Sequence, residues 1–167
     1  MNTMANTISV EADILLCGFN VGFFDNSDIE RWADRHIAAI EHPPIELIDL
    51  SMIRETHPID VMKLLSSLGV TDLATSIQTR IGFIGLLLEK QRIDTHLAIR
   101  GLWEMVHEPG TTGEQRSQFY YFDDAYDLAA GGTYGNMDDV QRELLVFVSP
   151  YAERLAELCP QLIRATK

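Results

Sequence analysis

Apolar residues recur every three or four positions along most of the chain, which is the spacing of one face of an α-helix. The clearest stripe lies within residues 27–41, where Ile29, Trp32 and Ile37 alternate with charged side chains. Residues 144–148, LLVFV, also suit a β-strand, but a lone strand would have no partner for its backbone hydrogen bonds. The pattern therefore predicts an all-α fold with about eight helices.

Polar caps and prolines mark where several of these helices begin. Ser27 followed three residues later by Glu30 has the pattern of a capping box. Pro44 and Pro58 each suit the first turn of a further helix, and Asp94 suits the cap of another. We therefore predict helix starts at these four places.

The second half of the chain carries fewer clear boundaries. Proline and glycine are concentrated in the segment EPGTTGE, which predicts an irregular loop near residues 108–118. We then expect Asp123 or Asp124 to begin a short helix that ends at Gly131. Pro150 is expected to separate the last helix from the one before it, because proline removes a backbone donor.

The central helix, which begins near Thr71, contains two glycines. Gly82 and Gly85 are three residues apart, so they lie on the same side of a helix. Because glycine has no side chain, we predict that a neighbouring helix approaches closely there.

Composition and length are those of one globular domain. The chain has 167 residues, of which 46% are hydrophobic and 23% charged, so we predict a single helical domain over residues 1–167. Cys17 and Cys159 lie among apolar residues, as buried free thiols do, and the longest apolar run, 81–88, is shorter than a bilayer span. These features favour a protein of the reducing cytoplasm.

The formal net charge is −12. Binding to nucleic acid or to anionic lipid requires a clustered basic surface, so the charge argues against both kinds of partner. A negative field attracts basic proteins, although the same acidity also serves solubility. The partner class that the charge favours is therefore a basic protein.

No familiar catalytic or cofactor motif occurs in the sequence, which lacks Gly-x-Ser-x-Gly and the phosphate-binding glycine loops. Glu104 and His107 form one Glu-x-x-His pair, whereas di-iron bundles need two such pairs and two further glutamates. We therefore predict no catalytic residue, no metal and no cofactor. A small helical enzyme or metal protein that uses Glu104, His107 and His96 is the alternative.

Residues 117–139 stand out because they combine six of the chain's aromatic residues with five carboxylates and no basic residue. Tyrosine offers a large amphipathic contact area, and carboxylates pair with arginine or lysine, so this composition is typical of a docking surface. The predicted partner-binding residues are Tyr120, Tyr121, Asp123, Asp124, Tyr126 and Asp127.

Two other interpretations of this segment remain open. In the first, Phe119, Phe122 and Leu128 anchor it in the core and its aspartates are simply solvated. In the second, Tyr120 and Tyr121 face another copy of the chain, as in a homo-oligomeric structural module. Exposure of the tyrosine rings distinguishes the first interpretation from a docking surface.

A further clue comes from residues 23–51, which contain a capped helix, a proline junction and the following motif residues: Ser27, Ile29, Trp32-Ala33-Asp34, Ile37, Pro43-Pro44 and Leu50-Ser51. This stretch resembles small uncharacterised bacterial proteins, some of which resemble immunity proteins of polymorphic-toxin systems. The resemblance implies a cytoplasmic, non-catalytic protein that binds and blocks a cognate toxin, and an acidic chain would suit a basic nuclease toxin. It assigns no binding residue.

Overall fold

The computed structural model describes residues 3–70 and 72–158, and every regular element in these ranges is a helix, which confirms the all-α prediction. The eight helices described are α1 (Thr3–Asn20), α2 (Asn26–Ala39), α3 (Ile45–Leu50), α4 (Pro58–Leu68), α5 (Leu73–Glu89), α6 (Thr95–Trp103), α7 (Gly113–Ala130) and α8 (Met137–Leu158). The chain comprises two compact units, Met1–Thr71 and Asp72–Lys167. The single domain expected over residues 1–167 stays a prediction.

The first unit is built from α1 to α4 around one apolar cluster. Its centre includes Ile29 on α2, Leu47 and Leu50 on α3, and Leu65 on α4, all fully buried. α4 contacts both α1 and α3, and α3 also contacts α2. The apolar stripe read from residues 27–41 thus faces this core.

Two carboxylates of α1 hold the first unit together. Glu11 accepts a hydrogen bond from Trp32 Nε1 at 2.7 Å, and the same oxygen lies 2.7 Å from His36 Nε2. Asp13, which is almost fully buried, accepts a hydrogen bond from the backbone N–H of Val70 at 3.2 Å. These bonds join α1 to α2 and to the end of α4.

Most predicted helix starts are confirmed, and one is displaced. Pro44 and Asp94 are the N-caps of α3 and α6, and Pro58 is the first residue of α4. The predicted capping box of α2 is wrong, because Asp25 and Asp28 form it instead. Asp25 Oδ1 accepts from the backbone N–H of Asp28 at 3.0 Å, and Asp28 Oδ2 accepts from that of Asp25 at 3.1 Å.

The second unit is organised around α5, which is buried along most of its length and packs against α8. A Cβ atom added at Gly82 would lie 2.5 Å from the carbonyl oxygen of Tyr151. At Gly85 it would lie 3.1 Å from the side chain of Val148. The close approach predicted at these two glycines is confirmed.

α8 runs without interruption through Pro150, so the predicted helix break there is wrong. Pro150 is exposed, whereas Val148 and Ala152 on either side are buried against α5. Packing of the buried side of α8 therefore outweighs the hydrogen bond that proline removes. Residues 144–148 belong to this helix, and Cys159 lies outside the described residues.

α7 is also longer than predicted. Thr112 and Gln115 form a capping box, so the helix begins at Gly113 and the irregular segment is 104–112 instead of 108–118. Asp123 and Asp124 lie inside this helix and do not begin one. The predicted end at Gly131, which caps the C-terminus of α7, is confirmed.

The irregular segment is fixed to its neighbours by polar contacts. Arg80 on α5 is almost fully buried and makes a two-pronged ion pair with Glu108, in which Nη1 lies 2.7 Å from Oε1 and Nη2 contacts Oε2. Arg116 Nε donates to the carbonyl of Val106 at 2.9 Å. These contacts connect α5 and the start of α7 to the segment that follows α6.

Among the described residues, no helix has both the length and the apolar character needed to cross a bilayer.

Candidate functional site

All six predicted partner-binding residues lie on α7, but the helix distributes them over two sides. Residues three or four positions apart lie on the same side of a helix, so Tyr120, Asp123, Asp124 and Asp127 form a continuous strip. Tyr121 is rotated by about 100° from Tyr120. The four residues of the strip therefore share one surface, whereas Tyr121 faces another.

The strip lies beside α6. The rings of Trp103 and Tyr120 meet edge to face, with centroids 5.4 Å apart, and 41% and 40% of the two residues are exposed. His96 stacks on Tyr126 with ring centroids 5.1 Å apart. Tyr126 is half-buried, so it packs beneath this surface and offers a partner less contact area than an exposed tyrosine would.

We call this surface the α6–α7 face, defined by His96, Trp103, Tyr120, Asp123, Asp124, Tyr126 and Asp127. Its α7 side is acidic. Its α6 side is mixed, because the exposed Arg100 lies between His96 and Trp103 in the helix. Aromatic rings and carboxylates therefore reach solvent together, as the sequence predicted for this segment.

The carboxylates of the α6–α7 face are crowded. Partial burial of Asp123 raises the pKa of its side chain, and the negative charges of Asp127 and Asp124 raise it further. His96 acts in the opposite direction. A cationic group brought to this cluster would relieve the repulsion that raises the pKa, so the arrangement is suited to a basic ligand.

Trp103 is the residue of this face that the sequence interpretation missed. The signal was present, because Trp103 follows the polar residues His96 and Arg100 at intervals of seven and three positions. A tryptophan on the polar side of a helix is a candidate contact residue.

The other side of α7 faces α8. Tyr121 donates a hydrogen bond from its hydroxyl to Glu143 at 2.5 Å, and this bond, with the nearby negative charge, raises the pKa of Tyr121. Two depressions of about 550 and 370 Å³ meet at this pair. We call them together the α7–α8 groove.

The α7–α8 groove also overturns one expectation about the core. Phe119 and Phe122 are buried as predicted, but Leu128 is 43% exposed and lines the groove. The reason is that α7 continues as one helix, which places Leu128 on the side of Tyr121 and away from the side of Phe119 and Phe122.

The Glu104 and His107 pair lies beyond the end of α6. α6 ends at Trp103, so both residues lie in the irregular segment, where both are exposed. Over the part of the chain that the structure describes, no three His, Cys, Asp or Glu residues are grouped so that they could hold an ion.

No protein-family model matches the chain, and comparisons with curated proteins and with solved structures give no match either.

Proposed function

We propose that this protein is a non-catalytic helical binding protein that neutralises a basic protein partner through the α6–α7 face. The observation that carries the proposal is the exposed Trp103 and Tyr120 pair beside the aspartates of α7. The finer form of the proposal follows the resemblance of residues 23–51, by which the partner is a bacterial toxin and the protein acts in the cytoplasm as an immunity protein.

The chemistry of the face supports a cationic partner. Tryptophan and tyrosine are enriched among the residues that dominate binding energies, because they bury a large area with few rotatable bonds. An arginine of the partner can stack on such a ring and pair with a neighbouring carboxylate at the same time. Such a contact would oppose the acidic neighbours that, after burial, raise the pKa of Asp123.

The test is affinity capture from a lysate of the native host, with the wild-type protein as bait at low and at physiological salt. The informative variant changes Asp123, Asp124 and Asp127 to asparagine. We expect the wild type to recover one basic protein, less of it at higher salt, and the variant to lose it, because exposed charge pairs are screened by salt.

A matched control removes the same charge from the first unit. Asp34, Asp49 and Glu55 are exposed there, so Asp34→Asn, Asp49→Asn and Glu55→Gln give the same net charge without touching the α6–α7 face. Circular dichroism checks that both triple variants are folded. Equal recovery by the wild type and both variants would show that the three aspartates of α7 do not bind the partner.

A further inference from the structure

We infer that the α7–α8 groove receives a basic amphipathic helix of the partner. The inference rests on the proposed function for the partner's positive charge, and it adds the shape of the element that binds. α7 would then contact the partner on both of its sides, through the α6–α7 face on one and the groove on the other.

The lining residues have the spacing that a helical ligand requires. On α7 they fall at positions 114, 118, 121, 122, 125 and 128, and all of these except 122 alternate steps of four and three residues. On α8 the lining positions are 139, 140, 142, 143, 146 and 147, which cover a broader side of that helix. The α7 wall covers about 21 Å at 1.5 Å per residue, or about four turns of a bound helix.

The groove contains exposed apolar side chains, which no other described residue of the second unit covers. Val146 is 71% exposed, Tyr121 48% and Leu128 43%. Ala125 lies between Tyr121 and Leu128, and its small side chain leaves room there for a larger one from the ligand. An amphipathic helix binds by placing its apolar face in such a groove.

Charge decides which kind of helix fits. Glu114, Asp139 and Glu143 line the groove, and Arg142, the one cation among its described lining residues, is already held by Asp139 at 2.7 Å. A second copy of the chain would bring another net charge of −12 to an acidic groove, which repulsion disfavours. A helix with leucines on one face would match the apolar lining of the groove, and arginines or lysines beside the leucines would match its carboxylates.

The experiment uses a labelled peptide of about 15 residues, four turns in length. Leucines occupy one face and arginine, lysine and alanine fill the rest, while a control peptide has the same composition in scrambled order. Fluorescence anisotropy measures the affinity of each peptide for the full chain. We expect the amphipathic peptide to bind at least about ten-fold more tightly, because only it presents a continuous apolar face.

Two double variants locate the site. Leu128→Ser with Val146→Ser removes apolar contacts from the groove without changing charge, and we expect it to weaken the amphipathic peptide about ten-fold. Met52→Ser with Ile59→Ser removes two exposed apolar residues of the first unit and should leave the affinity unchanged. Equal affinity for both peptides, or equal effects of both double variants, would overturn the groove site.

The captured partner separates failure of this inference from failure of the proposed function. In one outcome, the aspartate triple variant fails to capture the partner while the groove variant still captures it. That result would overturn the groove and leave the α6–α7 face as the binding site. Recovery unaffected by either would overturn both proposals. Light scattering that shows a dimer dissociated by the groove variant would identify a second copy as the occupant and overturn the basic helix.

Discussion

Trp103 has an unusual environment for its residue type. Tryptophan is highly buried on average, yet 41% of Trp103 is exposed, and its neighbour Tyr120 is exposed to a similar extent. Their edge-to-face contact fixes both rings before any ligand arrives. A preordered aromatic pair loses little side-chain entropy when it is covered by a partner.

We therefore predict that Trp103→Ala weakens binding of the captured partner at least about ten-fold, equivalent to more than about 1.4 kcal/mol. Titration calorimetry with the purified partner measures the change. Trp103→Phe retains a ring and should recover part of the affinity. Met52→Ala is the control, because Met52 is 67% exposed and belongs to the first unit, outside both the α6–α7 face and the α7–α8 groove. A larger loss from Met52→Ala would place the contact elsewhere.

Asp123 gives a prediction about pH. Burial and the charges of Asp127 and Asp124 raise its pKa above 3.8, so the folded state holds this proton more tightly than the unfolded state does. Ionised Asp123 therefore opposes folding once pH rises through the raised pKa, and this cost is absent below 3.8, where both states are protonated.

We expect Asp123→Asn to raise the thermal midpoint at pH 7 and to leave it unchanged near pH 3. Differential scanning calorimetry at both values checks this, with Asp34→Asn as an exposed control in the first unit. The effect is small because solvent screens a partly exposed carboxylate. A lower midpoint for Asp123→Asn at pH 7 would mean that the charge of Asp123 stabilises the fold.

Residue types alone predicted part of the site. Tyrosines near aspartates indicated a wet aromatic surface, and Tyr120 and Tyr121 are exposed. The division of the surface between two sides of α7 was not predictable, because it depends on where the helix begins. A helix that starts at Asp123 would leave Tyr120 and Tyr121 outside it, so that prediction could not say that the two side chains point in different directions.

At the scale of elements, the contact between α5 and α8 depends on two positions that lack side chains. Gly82 faces the backbone of Tyr151, and Gly85 faces Val148 and Ala152. Glycine is a poor helix former, so its presence in the middle of a buried helix needs a packing reason. The absence of Cβ atoms supplies that reason, because it lets α8 lie close along α5.

We predict that Gly82→Ala lowers the free energy of unfolding by about 2 kcal/mol, since the new Cβ would collide with a backbone oxygen that cannot rotate away. Urea denaturation measures this change. Gly113→Ala is the matched control, because no atom lies within 4 Å of its added Cβ, and alanine there should be neutral or stabilising. A gain in stability from Gly82→Ala would rule out the close contact.

The elements were predictable where local signals and packing agree. Pro58 and Asp94 mark where helices begin, and Gly131 marks where α7 ends. The glycines of α5 mark a close contact between helices. Pro150 shows where such reasoning fails. A proline ends an isolated helix, but here buried residues on either side keep α8 continuous, and such tertiary packing is not visible in a local sequence window.

At the scale of the whole molecule, net charge constrains the partner more than any single contact does. A net charge of −12 on 167 residues repels other acidic proteins and accelerates encounters with basic ones. The carboxylates of the α6–α7 face and of the α7–α8 groove have the same sign as this overall field. Long-range attraction and short-range pairing therefore favour the same class of partner.

The unbroken course of α7 has a consequence for how the protein can change over evolutionary time. Adding or deleting one residue inside a helix rotates everything beyond it by about 100°. Such a change near residue 122 would move Asp123, Asp124 and Asp127 away from α6 and carry Leu128 out of its groove. Point substitutions can alter either side of α7 independently. A change in the length of α7, by contrast, would disrupt both the α6–α7 face and the α7–α8 groove.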